Sequence, residues 1–202
     1  GGVLWALNAL LAGSPVWLHA ALLLTAWVML SGGLHLDGLA DSADAWLGGF
    51  GDRERTLTIM KDPRSGPIAV VTLMLVLLLK FTALLALIEQ QATVGLILAP
   101  LLGRVALLGL FRNTPYVRAG GLGQALADHL PRQSAGWVLL ASALACVLLG
   151  GWSGVLALMV ASLTFFVLRR LMLQRLGGTT GDTAGALLEL LEMTVLVVLA
   201  LH

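Results

Sequence analysis

Apolar residues run along this chain in blocks of up to about 20, the length of helix that crosses a hydrocarbon core about 30 Å thick at 1.5 Å per residue. Reading the blocks against Gly, Pro and charged residues as breakers predicts seven helical segments. They are Gly1 to Ala12, Val16 to about Leu34, Ile68 to Ile88, Ala92 to Phe111, Ala135 to Leu149, Trp152 to Leu168 and Ala186 to Leu201. A Gly13-Ser14-Pro15 turn separates the first two, and Gly150-Gly151 separates the fifth from the sixth. The first segment is short. Because the chain opens at Gly1-Gly2 without Met, that segment is expected to be incomplete here.

Composition supports the pattern. Of 202 residues, 58% are hydrophobic and 11% charged, with a mean hydropathy of +0.94, against about 25% charged in a soluble domain. A water-soluble globule is excluded, and the expected fold class is all-α: a polytopic integral membrane protein in a lipid bilayer. Repeats and linkers are absent and the loops are short, so 1–202 reads as a single transmembrane domain. Twelve Lys plus Arg against eleven Asp plus Glu give a formal charge of +1, which leaves no basic field for nucleic acid. Cys146 stands alone in an apolar run, so neither a disulfide framework nor a Cys-based metal site exists, and inert packing is expected.

The charges separate by side. The turns at Gly13 to Pro15, Glu89 to Gln91 and Gly150-Gly151 contain no Lys or Arg. The intervening loops hold Arg53, Arg55, Lys61, Arg64, Arg112, Arg118, Arg132, Arg169, Arg170 and Arg175, ten of the twelve basic residues. By the positive-inside rule these loops face the cytoplasm, and the expected location is the cell inner membrane. The same loops and flanking helix ends carry Asp37, Asp41, Asp44, Asp52, Glu54, Asp62, Asp128 and Asp182. Chemistry is therefore expected at that face.

Asp37, Asp41 and Asp44 stand at i, i+4 and i+7, within about 60° of one another on a helix. Like charges so placed repel, and a divalent cation such as Mg²⁺, Mn²⁺ or Ca²⁺ would compensate them; a solvated polar helix end is the alternative. In Lys61-Asp62-Pro63-Arg64, Asp62 could complete a metal site while Lys61 or Arg64 holds a phosphate, or the group is a cap with juxtamembrane anchors. Asp52-Arg53-Glu54-Arg55 alternates in sign and reads as a solvated face. The run Gly177 to Gly185, containing Asp182, suits an anion at a helix start or an ordinary flexible turn. Arg112, Tyr116 and Arg118 precede Gly120-Gly121-Leu122-Gly123 and suit an anionic group with a ring to stack on, or a membrane anchor.

Within the spans, Arg104 lies seven residues from the cytoplasmic end of its segment, within reach of the acids or a substrate phosphate. Lys80 is expected either to snorkel, to pair with an intramembrane Glu, or to act in function; Glu189 is functional or paired, and Glu192 is paired. His35 adjoins the Asp helix and could meet substrate, whereas His19, His129 and His202 stand apart. Most of the six Trp residues fall near span ends, as interfacial anchors do.

Gly32 to Asp44, with Ile59-Met60-Lys61-Asp62-Pro63-Arg64-Ser65-Gly66, Gly103-Arg104, Tyr116-Val117-Arg118 and Gly181-Asp182-Thr183-Ala184-Gly185-Ala186, closely resembles the cobalamin synthase family of adenosylcobinamide-GDP ribazoletransferases. The resemblance spans essentially the whole chain; members usually carry a further N-terminal stretch, and Ala45 stands where many have Gly. It implies a Mg²⁺-dependent transfer at the membrane. The ribose 3′-hydroxyl of α-ribazole, or of α-ribazole 5′-phosphate, attacks the cobinamide-linked phosphorus of adenosylcobinamide-GDP and GMP leaves. Asp37, Asp41, Asp44 and Asp62 are then the candidate metal ligands, and Lys61, Arg64, Arg104 and Arg118 the phosphate-binding cations. Asp44 or Asp182 would accept the ribose proton, and Arg104 would take part in catalysis. The three-Asp pattern is also similar in mechanism to CDP-alcohol phosphotransferases, though their full motif is absent. A transporter is the competing class, because Lys80, Arg104, Glu189 and Glu192 could line an ion route. Whether copies associate as a homo-oligomer is left open.

Overall fold

The structure, a computed structural model, describes residues 1–121 and 123–202 and is all helical apart from one isolated bridge. The elements are α1 (Gly2–Leu10), α2 (Val16–Leu30), α3 (Leu34–Gly48), α4 (Arg53–Ile59), α5 (Pro67–Glu89), α6 (Gly95–Asn113), α7 (Gln124–Asp128), α8 (Arg132–Leu176) and α9 (Gly181–Ala200). Among the described residues four helices are long and apolar enough to cross a membrane, or five if the bent pair α2–α3 forms one span.

Local signals set the boundaries. Pro67 opens α5, where its missing N–H costs nothing. Thr180 and Thr183 open α9 in a reciprocal capping box, each hydroxyl accepting from the other's backbone N–H at 3.2 and 2.9 Å. Gly151 has φ +53 and ψ −125 and breaks α8 at the predicted turn. The two arms, 132–150 and 152–176, fold back side by side: a Cβ on Gly154 would lie 2.0 Å from the Cys146 carbonyl oxygen, and both arms line one groove against α6.

The second predicted segment needs correction. A straight span from Val16 to Leu34 is replaced by two helices bent 86° apart at Ser31-Gly32-Gly33, where Gly32 and Gly33 have φ +62 and +71. Side-chain pairing shows how deep each half lies. Lys80 bonds to Glu189 and Glu192 at 2.6 and 2.8 Å, and Gln90 Nε2 donates to the Ala200 carbonyl at 3.0 Å, so α5 and α9 run parallel and in step. Trp27, near the end of α2, stacks on the Lys80 ammonium at 5.1 Å. Lys80 is 13 residues beyond Pro67, about 20 Å along the axis. Thus α2 ends deep in the bundle, and α3 covers the remaining distance to the level of Gly66, where Asp44 meets α5. The seven predicted segments therefore correspond to α1, the pair α2–α3, α5, α6, the two arms of α8, and α9. Trp27 is correspondingly a buried residue, not an interfacial anchor.

Helix α9 is the axis of the packing. From Thr183 to Leu199 twelve of its residues are buried and the rest half-buried, enclosed by α3, α5, α6 and α8. The outer surfaces are the apolar ones: Val70, Val71, Met74, Leu75 and Leu78 of α5, and Leu140, Leu144, Leu148, Leu163 and Phe166 of α8, are exposed. That inversion of a soluble protein's pattern suits lipid as the surrounding solvent. Cys146 is free and buried, in keeping with a packing role.

Candidate active site

At the end of the bundle where α3 and α9 begin to diverge, a cavity of about 610 Å³ is bordered by His35, Asp37 and Asp41 of α3, Asp182 of α9, Lys61, and the Tyr116–Arg118 segment with Gly120, Gly121 and Gly123. Its acids come from two helices held unusually close. A Cβ on Gly38 would stand 2.8 Å from the Asp182 carbonyl oxygen, and one on Gly185 would stand 3.1 Å from the His35 carbonyl oxygen. A side chain at Gly38 would force the helices apart and one at Gly185 would crowd them, and the crossing carries Asp37 and Asp41 to Asp182, each within electrostatic reach of the others.

The opposite wall is pinned by backbone. Val117 N–H donates to the Thr179 carbonyl at 2.9 Å and Thr179 N–H to the Pro115 carbonyl at 2.8 Å, joining the stretch after α6 to the stretch before α9. Arg118 is thereby delivered to the start of α9, where its guanidinium pairs with Asp182. Gly121 and Gly123 lie flat against the Tyr116 ring, which a side chain at either position would strike. Two buried polar atoms of residues bordering the cavity, His35 Nδ1 and the Tyr116 hydroxyl oxygen, have no hydrogen-bond partner among the described residues.

The remaining predicted site residues lie elsewhere. Asp44 accepts hydrogen bonds from Gly66 N–H and, at 3.0 Å, from Ala69 N–H, one on each carboxylate oxygen. It caps α5, whose own N-cap residue has no side chain to offer. The i, i+4, i+7 spacing does keep Asp44 on the face of Asp37, but seven residues also displace it about 10 Å along the axis, and there it meets another helix end. Asp62 is clamped by Arg64 at 2.8 and 2.9 Å, bonds that hold its carboxyl down at about 2, and the pair is on the surface. Among the described residues no three of His, Cys, Asp and Glu are gathered closely enough to cage a metal ion unaided.

Arg104 does not reach the cavity. It pairs with Glu192 and borders a different recess, beside Trp27 and Leu30. The reason is the charge balance of the interior: the Glu189 and Glu192 side chains are 5% and 0% exposed, and Lys80 is 2% exposed. Two buried carboxylates require two cations, and Lys80 and Arg104 supply them. The pairing expected for Glu192 is thus present, and of the alternatives for Lys80 the structure shows pairing.

The sequence reading missed the pair of glycines on which the α3–α9 crossing turns. A partial signal was present in Gly181-x-x-x-Gly185, the small-residue spacing that lets membrane helices touch, although of these two only Gly185 meets α3.

The family model described as cobalamin-5-phosphate synthase matches residues 1–200. An adenosylcobinamide-GDP ribazoletransferase of Pseudomonas syringae pv. syringae (strain B728a) is 74% identical over 201 residues, covering 100% of this chain and 83% of that protein. Proteins of the same name from Pseudomonas fluorescens (strain Pf-5) and Pseudomonas putida (strain W619) are 75% and 72% identical, with 83% and 82% of their lengths covered. No solved structure matches the chain. With residues 1–200 matched and identity above 70% along its whole length, the chain belongs to the cobalamin-5-phosphate synthase family.

Proposed function

We propose that the cavity between α3, α9 and the Tyr116–Arg118 segment is where this membrane transferase joins adenosylcobinamide-GDP to α-ribazole or its 5′-phosphate, releasing GMP, in the assembly of cobalamin. The observation that carries the reading is the meeting of Asp37, Asp41 and Asp182 from separate helices with Lys61 and Arg118 at one cavity. A displacement at phosphorus needs charge neutralised on the transferring and leaving phosphates, and it needs an acceptor for the hydroxyl proton.

The donor set fits Mg²⁺. These are hard carboxylate oxygens, and Mg²⁺ is ordinarily held by one or two carboxylates, with water and substrate phosphate completing the octahedron, so no three-acid cage is required. Two carboxylates of the trio Asp37, Asp41 and Asp182 would hold it, and when bound it would neutralise charge on the pyrophosphate. Lys61 and Arg118 bind phosphate oxygens, and a carboxylate of the trio free of metal takes the ribose proton. Asp44 and Arg104 act by holding the helices that carry these groups. The site opens on the cytoplasmic side of the inner membrane, since Arg53, Arg118 and Arg175 gather at that end. Arg53 donates to the Leu176 carbonyl at 2.7 Å, Arg175 bonds the Trp46 carbonyl, and Arg118 pairs with Asp182.

The transporter reading is the less favoured one, because Lys80, Glu189 and Glu192 are engaged with one another in a buried cluster and Arg104, the fourth residue of that reading, is paired with Glu192. The test is direct. The purified chain in detergent, where no compartments exist, should release GMP from adenosylcobinamide-GDP only when α-ribazole and Mg²⁺ are both present. Release without α-ribazole would make it a hydrolase, and no release under any condition would remove the reading.

A further inference from the structure

Arg118 occupies a position with two incompatible attractions. Its guanidinium pairs with Asp182, and it is the cation found in an ion pair with the cavity's carboxylates among the described residues; Lys61 borders the same cavity in no such pair. Its own backbone cannot leave, because the residues just before it are tied to Thr179 by two main-chain hydrogen bonds. The side chain is 27% exposed, against 16% for Asp182, and it borders the cavity. Asp37 and Asp41 face the same carboxylate and add to the field that holds Arg118 there.

We infer that Arg118 is an exchangeable counter-ion: it neutralises Asp182 in the empty pocket, and a divalent cation arriving at the carboxylates displaces it toward a phosphate oxygen of the nucleotide. This rests on the reading of the pocket as a divalent-cation site. The physical basis is that a guanidinium and a divalent cation cannot share one carboxylate without mutual repulsion, whereas a phosphate bridging them attracts both. The exchange imposes an order of binding. Metal without nucleotide must compete with Arg118 and binds weakly; metal together with nucleotide gains from the released guanidinium and binds tightly. The coupling is reciprocal, so metal tightens nucleotide by the same factor.

The consequence runs opposite to that expected of an ordinary substrate-binding arginine. Arg118→Gln removes the competitor, so the metal should bind more tightly in the absence of nucleotide, by on the order of 5- to 10-fold for one partly buried ion pair. The same change should abolish most of the tightening that nucleotide brings. Arg118→Lys keeps the charge and should resemble wild type in metal-only binding, and it also controls for loss of folding.

The experiment is Mn²⁺ titration of the full chain in detergent, read by the electron paramagnetic resonance signal of free Mn²⁺, with and without GDP as the nucleotide probe. Wild type, Arg118→Gln, Arg118→Lys and Asp41→Asn are compared. Tighter Mn²⁺ binding by Arg118→Gln alone, with its GDP enhancement lost, supports the exchange. Equal or weaker Mn²⁺ binding by Arg118→Gln, while wild type binds and Asp41→Asn does not, overturns the exchange and leaves the metal site standing. Wild-type binding that Asp41→Asn leaves unchanged places Mn²⁺ elsewhere and overturns both.

Discussion

Replacing Gly38 by Ala tests whether the α3–α9 crossing sets the geometry of the site. The added methyl would lie 2.8 Å from the Asp182 carbonyl oxygen and 3.0 Å from its Cα, against 3.4 Å or more for an ordinary contact. Both obstructing atoms are backbone, so no side chain can turn aside, and α3 must move about 0.6 Å away from α9 to accept it. Overpacking of this kind costs about 1–3 kcal/mol. The larger consequence is functional, because the shift separates Asp37 and Asp41 on one helix from Asp182 on the other. Misplacement by a fraction of an ångström up to 1 Å lowers turnover by roughly 10- to 100-fold. Initial rates of GMP release, with melting followed in parallel, provide the assay, and the Mg²⁺ concentration for half-maximal rate should rise. Gly109→Ala is the control, since its methyl would meet Phe165 at an ordinary 3.6 Å and should leave stability level or raise it by about 0.5–1 kcal/mol. Wild-type turnover and Mg²⁺ requirement in Gly38→Ala would refute the claim that this contact spaces the carboxylates.

Lys80→Met leaves Glu189 and Glu192 buried with Arg104 as their remaining cation, so stability should fall by about 3–5 kcal/mol and partly recover in Lys80→Met/Glu189→Gln; a single variant as stable as wild type would contradict the charge balance. Asp44→Ala removes both hydrogen bonds at the start of α5 and should lower stability by about 1–2 kcal/mol with Mg²⁺ affinity retained, whereas a loss of Mg²⁺ affinity equal to that of Asp41→Asn would make Asp44 a ligand. Single cysteines at positions 53, 118 and 175 should resist an impermeant reagent in intact cells and react in inverted vesicles; labelling of one from outside would break the shared cytoplasmic end.

Much of this molecule was legible in its sequence because membrane insertion leaves strong marks: apolar blocks of fixed length, and Lys and Arg confined to alternate loops. Residue type and spacing point to Asp37, Asp41, Asp182, Lys61 and Arg118, and these meet at one cavity. What was not legible depended on three-dimensional register. The i+7 spacing of Asp44 fixes its face but not its depth, and depth decides that it caps α5. Arg104 lies within reach of the cavity by length, yet its partner was fixed by a second carboxylate on α9 whose orientation the sequence does not state. The break at Gly32-Gly33 looked like the end of a span, although two left-handed glycines serve equally to bend a span within the bilayer. That bend is what lays the acid helix beside α9.

The central claim is that Asp41 belongs to a metal-dependent catalytic pocket. Asp41→Asn removes its charge at nearly constant shape, and GMP release from adenosylcobinamide-GDP and α-ribazole across a Mg²⁺ titration reads the result. Asp52→Asn is the control: Asp52 caps α4 through Arg55 N–H at 2.6 Å, a task Asn performs equally well. Turnover of Asp41→Asn should fall by about two or more orders of magnitude, because charge stabilisation worth several kcal/mol is removed at the transition state, while the chain extracts and melts as wild type does and Asp52→Asn stays fully active. Wild-type GMP release with an unchanged Mg²⁺ dependence in Asp41→Asn would contradict the assignment.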